Sequence, residues 1–274
     1  MHPILKFLVN APYVLWPVVA VLVTLALSPR IRAVFKREFF GYFNSPVAYV
    51  ILIIFLLAVQ AFCFFFGNFL GTDDASLTRP FFMWHPWIYM VLAPAVGMRL
   101  WSEEQRLGTM ELLMTMPISP TQTIIGKFLA ASMVWYVALA LTFPIVITVY
   151  YLGEPDLGPI LSAYNASFLY ALACLAVTCA VSAFTRSQVI CFIISVAICL
   201  VLTLMGMQQV VDAMVKSRLG GVEEVVRFIA SLCFLTHYYD MSKGLLMFRD
   251  ILYFASVIFV SLLVTHFAIQ SRRA

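Results

Sequence analysis

Long apolar runs separated by short polar interruptions organise this chain. A helix that crosses the hydrocarbon core of a bilayer needs about 20 mostly apolar residues. Six stretches meet that length: 47–67, 81–100, 122–151, 163–185, 187–210 and 251–270. A seventh run, 11–27, is shorter and contains Pro12 and Pro17. The segment ahead of the first main span has a different rhythm. Ile31, Val34, Phe35, Phe39 and Tyr42 recur at helical spacing, while Arg32, Lys36 and Arg37 project elsewhere. That pattern predicts an amphipathic helix lying in the membrane interface, with its aromatics at headgroup depth. Ser45-Pro46 then caps and starts the first main span, because proline is favoured at the first helical position. The pattern as a whole predicts an all-α, polytopic membrane protein. Its parts are an N-terminal extension over 1–28, an interface helix over 29–45, and a six-span domain over 46–274.

Composition supports lipid as the solvent. Hydrophobic residues make up 63% of the 274 positions and charged residues 11%, against about 25% charged in a soluble domain. The net charge of +4 matters less than where the charges fall. If 29–46 faces the cytoplasm, that side carries Arg30, Arg32, Lys36, Arg37, Arg99, Arg106, Lys127, Arg186, Arg272 and Arg273. The short segments of the other side carry only Lys6 and Arg79. Six spans with both flanking ends inside satisfy the positive-inside bias. The acids of 68–80 and 152–162, Asp73, Asp74, Glu154 and Asp156, then lie outside. In the first 28 residues Lys6 stands alone before the apolar run and four basic residues follow it. That order favours an uncleaved extra membrane helix over a cleaved signal or an extension ahead of the true start.

The chemistry of an engine is missing from the sequence. A P-loop requires G-x-x-x-x-G-K-[ST], but Gly126-Lys127 is followed by Phe128 and preceded by Thr121 at the first glycine position. There is no HExxH, and His2, His85, His237 and His266 are scattered, so no metal site is expected. His85 in WHPW reads as part of an interfacial aromatic group with Trp84 and Trp87. Five of the six cysteines lie in apolar runs, where thiols behave as small hydrophobes. No basic run with interleaved aromatics points to nucleic acid. The spans hold almost no charge, which counts against an ion-gradient-driven secondary transporter or channel, the main alternative reading. An intramembrane enzyme would need a paired base that is not visible. Gln60, Thr203, Gln208 and Gln209 are candidates for lining a translocation path, although hydrogen bonding between helices is the plainer explanation. Ala176 with Ala180 and Thr178 with Ser182 permit close helix approach.

Residues 101–121, WSEEQRLGTMELLMTMPISPT, join the second and third main spans. Ser102 with Gln105 reads as a capping box that starts a short helix, and Glu103 and Glu104 suit its first turn. Leu107, Met110, Leu113 and Met114 share a face, with Glu103, Glu104, Arg106 and Glu111 around it. Pro117 ends this helix, and Ser119-Pro120 with Gln122 launches the next as a second capping box. Such a helix either rests on the membrane surface or seats in a soluble partner. Its acids and adaptable methionines favour the partner.

These residues, continued by Gly126-Lys127, resemble the cytoplasmic gate region of ABC-2 type permeases. FKREFFGYFNSPVAYV over 35–50 resembles the entrance helix and first span of that family. FLTHYYDMSKGLLMFRDILYF over 234–254 resembles the outer loop and last span of its gliding-motility subgroup. The resemblance spans residues 30–274. It implies a six-helix permease in the bacterial plasma (inner) membrane, paired with a second permease copy or paralogue. It implies a coupling helix at about 102–116, formed by Ser102, Glu103, Glu104, Arg106, Leu107, Met110, Glu111, Leu113 and Met114. A cytoplasmic ABC ATPase subunit would engage that helix, and ATP and Mg would be bound by that partner and not by this chain. A gliding-type auxiliary protein and membrane lipid are further implied partners. The family also implies a re-entrant outer segment, for which the short apolar run within 211–250 is suited.

Overall fold

The computed structural model describes residues 28–69, 71, 77–110, 118–153, 155–207, 231–244 and 247–271. The described residues form helices and no strand. The N-terminal extension up to residue 27, the segment 111–117 and the segment 208–230 lie outside them. The expected extra N-terminal helix therefore falls outside the described residues, as does the part of the expected re-entrant segment up to residue 230.

Helix α1, Pro29–Asn44, is the expected amphipathic segment. Its end at Ser45 follows from the next residue. Proline disfavours the α region in the residue before it, and Ser45 is extended, with φ −98° and ψ 139°. The Ser45 hydroxyl then accepts from the Val47 amide to open α2, Pro46–Ala61. A π-turn over Phe62–Phe66 completes this first apolar span.

The second apolar segment is broken. A 3₁₀ turn at Phe82–Trp84 leads into α3, His85–Gly97, and after Met98 the chain resumes as α4, Arg99–Leu107. The third is also divided. Helix α5, Pro120–Leu141, is followed by α6, Pro144–Leu152, with the interruption at Thr142 and Phe143. Pro144 has no amide hydrogen to continue the ladder.

Helix α7, Leu157–Phe184, starts six residues earlier than its apolar pattern suggests, because Asp156 caps it by accepting from the Gly158 amide. Its 28 residues extend about 42 Å at 1.5 Å per residue, and it is buried along most of its length. Helices α3, α4 and α5 pack against it. Gly97 allows α3 to approach closely: a Cβ there would lie 2.8 Å from Thr178 Cγ2. Thr178 is one of the small residues expected at a tight crossing.

Helix α8, Gln188–Leu204, is capped by Ser187 and is shorter than its expected span. The chain returns through α9, Phe234–Ser242, to α10, Phe248–Gln270. All three also pack on α7, which is the axis of the bundle. Among the described residues, four segments are long and apolar enough to cross a membrane: Pro46–Phe66, Pro120–Leu152, Leu157–Phe184 and Phe248–Gln270.

The outward faces of α2, α8 and α10 are rich in large apolar side chains, among them Ile53, Leu57, Val189, Ile193, Phe259 and Phe267. A lipid solvent accounts for exposed surface of this kind. The six cysteines are buried and unpaired.

Candidate functional site

The chemistry of greatest interest gathers where α1, α4 and α5 meet. Ser119 precedes Pro120 and is extended, and its side chain makes the expected capping box with Gln122. That box fixes the start of α5, and Gly126 lies in its second turn. A Cβ on Gly126 would stand 2.8 Å from Val34 Cγ1, so the bare backbone is what admits α1. Val34 is the buried residue of α1. One turn later on the same face comes Glu38, and beside Gly126 comes Lys127.

Lys127 is only 2% exposed. Its ammonium meets Glu104 Oε1 at 2.9 Å, Glu38 Oε1 at 3.2 Å and the Leu100 carbonyl at 3.1 Å. An ammonium has three donors, and here each has an acceptor, one from α1 and two from α4. The ring of Trp101 lies 5.2 Å away and adds a cation–π contact. Arg37 reaches Glu38 at 2.7 Å and Glu104 at 3.6 Å. Two acids and two bases thus close a charge-balanced cluster. Burial pushes the Glu38 carboxyl up, but the attraction of Lys127 and the bonds from Arg37 outweigh it, and its pKa falls below the ordinary 4.5.

The same face of α4 is fixed to α7. Gln105 Nε2 donates to the Ala183 carbonyl at 2.8 Å and to the Ser182 carbonyl at 3.3 Å, satisfying carbonyls at the end of α7 that have no partner within the helix. Trp101 Nε1 approaches Cys179 Sγ at 3.4 Å. Helix α4 is thus held by α1, α5 and α7 together.

Two expectations about α4 need correction. Ser102 and Gln105 do not form a capping box. Ser102 lies inside the helix, buried, with its hydroxyl donating to the Met98 carbonyl, while Gln105 points to α7. The helix also starts at Arg99 rather than 102 and stops at Gly108, which takes the left-handed φ of 71° that suits a glycine C-cap. Glu103 is half-buried and pairs with Arg99 at 3.1 Å, and Glu104 belongs to the Lys127 cluster. Arg106 and Leu107 are exposed, Leu107 by 62%. Met110 packs partly against the core. The side chains of Glu111, Leu113 and Met114 lie outside the described residues.

Of the candidate path residues, Gln60 is half-buried on α2. Thr203 is fully buried, donates to the Cys199 carbonyl and accepts from the Tyr170 hydroxyl at 2.7 Å. That is hydrogen bonding between helices. Gln208 and Gln209 lie outside the described residues.

The other end of the bundle holds two further polar groups. His85 does not lie at the protein surface. It is fully buried, ringed by Phe55, Phe81, Phe82 and Tyr89, and its Nδ1 lies 2.9 Å from Ser167 Oγ. Trp84 stacks instead on Phe62. Asp250, in the first turn of α10, is fully buried against His237 at 2.7 Å. The bundle therefore does bury an acid, although Asp250 sits at a helix end rather than mid-span. From sequence alone Lys127 is an inner-side positive charge near the start of the third span, and Asp250 lies just before the last. Their partners, Glu38 and His237, are distant in sequence or on a separate short helix, and no local signal joins them.

A family model for the ABC-2 family transporter protein matches residues 80–269, well over half of the chain. This chain belongs to the ABC-2 transporter family. The match runs from the turn before α3 to the last turn of α10, and so includes Glu104, Lys127 and Asp250. Helix α1, with Glu38, precedes it. Membership makes the chain the membrane part of a transporter and agrees with its multi-pass, all-helical build. No curated protein matches the chain.

Proposed function

We propose that this ABC-2 protein is the six-span permease subunit of an ATP-driven exporter, and that the Lys127 cluster couples it to an ATPase on a separate chain. The observation that carries the reading is the buried ammonium with one carboxylate from α1 and another from α4. A buried charge pair is a poor source of net stability but strongly penalises the loss of one partner. It therefore suits a joint whose helices must move as a unit. The exposed end of α4 and the turn after it, residues 106–109, project from that joint and are the surface offered to the partner. A force applied at the tip reaches α1 and α5 through Lys127, and α7 through Gln105. ATP and Mg belong to the partner ATPase.

In this reading α1 lies along the inner face of a bacterial plasma membrane and the α9 end faces outward, as the Lys and Arg distribution favours. A second permease copy or paralogue completes the complex, and the gliding-type subgroup adds an auxiliary protein. The apolar interior and sparse polar lining suit a hydrophobic cargo.

The test is affinity purification of the tagged chain in mild detergent, followed by ATPase and transport assays of the complex. The proposal expects a soluble ABC ATPase to co-purify. Lys127→Met should leave it bound but lower substrate-coupled ATP turnover by about tenfold or more, the effect of roughly 1.4 kcal/mol of lost coupling. Transport that proceeds without nucleotide, driven by an ion gradient, would overturn it in favour of a secondary transporter.

A further inference from the structure

The Lys127 joint leaves unexplained the buried acid at the opposite end of the bundle. Thr265 of α10 approaches Cys179, beside the α4 contact, whereas Asp250 lies fifteen residues earlier on the same helix, about 22 Å away at 1.5 Å per residue. There His237 of α9 lies flat on Tyr253, with ring centroids 4.0 Å apart. Its Nδ1 is 2.7 Å from Asp250 Oδ1, and its Nε2 is 2.9 Å from the Ser231 carbonyl.

Proton counting constrains this arrangement. A carbonyl oxygen only accepts, so Nε2 carries a hydrogen and donates it to Ser231. A neutral imidazole then has no hydrogen left on Nδ1. At 2.7 Å, an Nδ1 lone pair facing an ionised carboxylate would be repulsive. A second proton must therefore lie between Nδ1 and Oδ1, either on the ring as imidazolium or on the carboxyl as a neutral acid. Asp250 Oδ2 is buried without a hydrogen-bond partner among the described residues, which is costly for a bare carboxylate.

Among the described residues, few other charges face the pair. Arg249 Nε is 3.3 Å from Asp250 Oδ1, and its guanidinium reaches Asp240 Oδ2 on α9 at 3.7 Å. Lys243 pairs with Asp240 at 3.1 Å. Arg249 is largely exposed, so its charge is partly screened by solvent. The Tyr253 hydroxyl donates to the Leu232 carbonyl and contributes no proton to the pair.

We propose that His237 and Asp250 form a proton-binding site that docks α9 onto α10. The ligand is a single proton, exchanged with the aqueous phase at that end of the bundle. When it leaves, the lone pair and the carboxylate repel and α9 separates from α10. When a second proton is added, the acceptor is lost and the contact weakens again. Docking is thus strongest while one proton is held and falls as pH rises past its release. This site does not depend on the coupling reading. In a transporter it would tie the packing of α9 against α10 to proton activity on that side.

Two measurements on the full-length chain in lipid nanodiscs test this. The first is the nitrogen NMR spectrum of labelled histidines together with the carboxyl carbon spectrum of labelled aspartates, at neutral pH. His237→Gln and Asp250→Asn assign the signals. The proposal expects either a His237 imidazolium or a protonated Asp250. A neutral His237 beside an ionised Asp250 would overturn it. The second is the thermal unfolding midpoint as a function of pH. The side-chain amide introduced by Asp250→Asn can donate to an unprotonated Nδ1 while Nε2 still binds Ser231, so this variant keeps the contact without the proton. Its midpoint should stay flat on the alkaline side where the wild-type value falls. Parallel alkaline limbs would also overturn the proposal. If Asp250→Asn fails to fold, the wild-type nitrogen spectrum decides, with its His237 signal assigned by His237→Gln.

Discussion

Replacing Lys127 with methionine removes the cation from a joint in which each of its three donors has an acceptor. The substitution keeps most of the stem and the volume, so packing against Trp101 is largely preserved. What changes is the fate of the two carboxylates. Glu38 keeps Arg37 at 2.7 Å. Among the described residues, Glu104 keeps the longer 3.6 Å contact to Arg37, with Oε2 already buried and unpartnered. Stripping one partner from a buried pair costs about 3–5 kcal/mol, because the charge left behind has lost its compensation. For a chain of this size that is on the order of 10 °C in unfolding midpoint.

The control is Lys243→Met, whose side chain is 66% exposed in its pair with Asp240 and should cost at most about 1 kcal/mol. The joint also predicts non-additivity. In a background of Glu38→Gln and Glu104→Gln, Lys127→Met should cost far less, because no buried anion remains to be abandoned. The assay is thermal unfolding in nanodiscs at fixed scan rate for the full set of variants. The reasoning is refuted if Lys127→Met behaves like Lys243→Met, or if its cost is the same in the neutral background.

Three further outcomes are expected. Gly97→Ala should destabilise by about 1–3 kcal/mol, because its Cβ would fall 2.8 Å from Thr178 Cγ2. Adding Thr178→Ser, which removes that methyl and keeps the hydroxyl bond to the Cys174 carbonyl, should recover only part of the loss in the same unfolding assay, because the Thr178 Cβ would still stand 2.9 Å from the added methyl and Leu175 Cδ1 3.1 Å. Ser119→Ala should cost about 1 kcal/mol through loss of the capping box, read as a lowered midpoint with no change in ATPase binding. The Glu38 carboxyl is held below its ordinary 4.5 in the folded chain. Its contribution is therefore complete above 4.5 and is lost as pH falls through the lower folded value. Glu38→Gln should remove that part of the acid sensitivity in unfolding scans between about pH 6 and 3.

The elements were legible in the sequence wherever a local rule fixed the backbone. Ser45 and Ser119 both precede proline and are both extended, and both cap the helices expected of them. Ser102 has the same capping-box spacing to Gln105 as Ser119 has to Gln122, but a glutamate follows it. Nothing forces its backbone out of the helix, and its hydroxyl turns back to Met98. The apolar runs located the long helices but not their starts or breaks. Asp156 extends α7 backward, and Pro144 divides the third run.

The candidate site was less legible because its central pairs are non-local. Lys127 read as one more inner positive charge, and Gly126 as part of the gate-region resemblance; that Val34 packs on that glycine is not visible in the local sequence. Asp250 likewise read as a loop acid, until the short α9 brought His237 against it. Charge placed by the positive-inside rule says which side a residue is on, not whether a partner draws it into the core.

The coupling account is tested most directly by photo-crosslinking from the tip of α4 in intact membranes of the source cell. A crosslinking amino acid at position 107, on the exposed end of α4, should give an adduct with a soluble ABC ATPase. The same probe at position 248, where Phe248 is 77% exposed at the opposite end of the bundle, should give none. ATPase adducts from 248, or only lipid and self-adducts from 107, would contradict it.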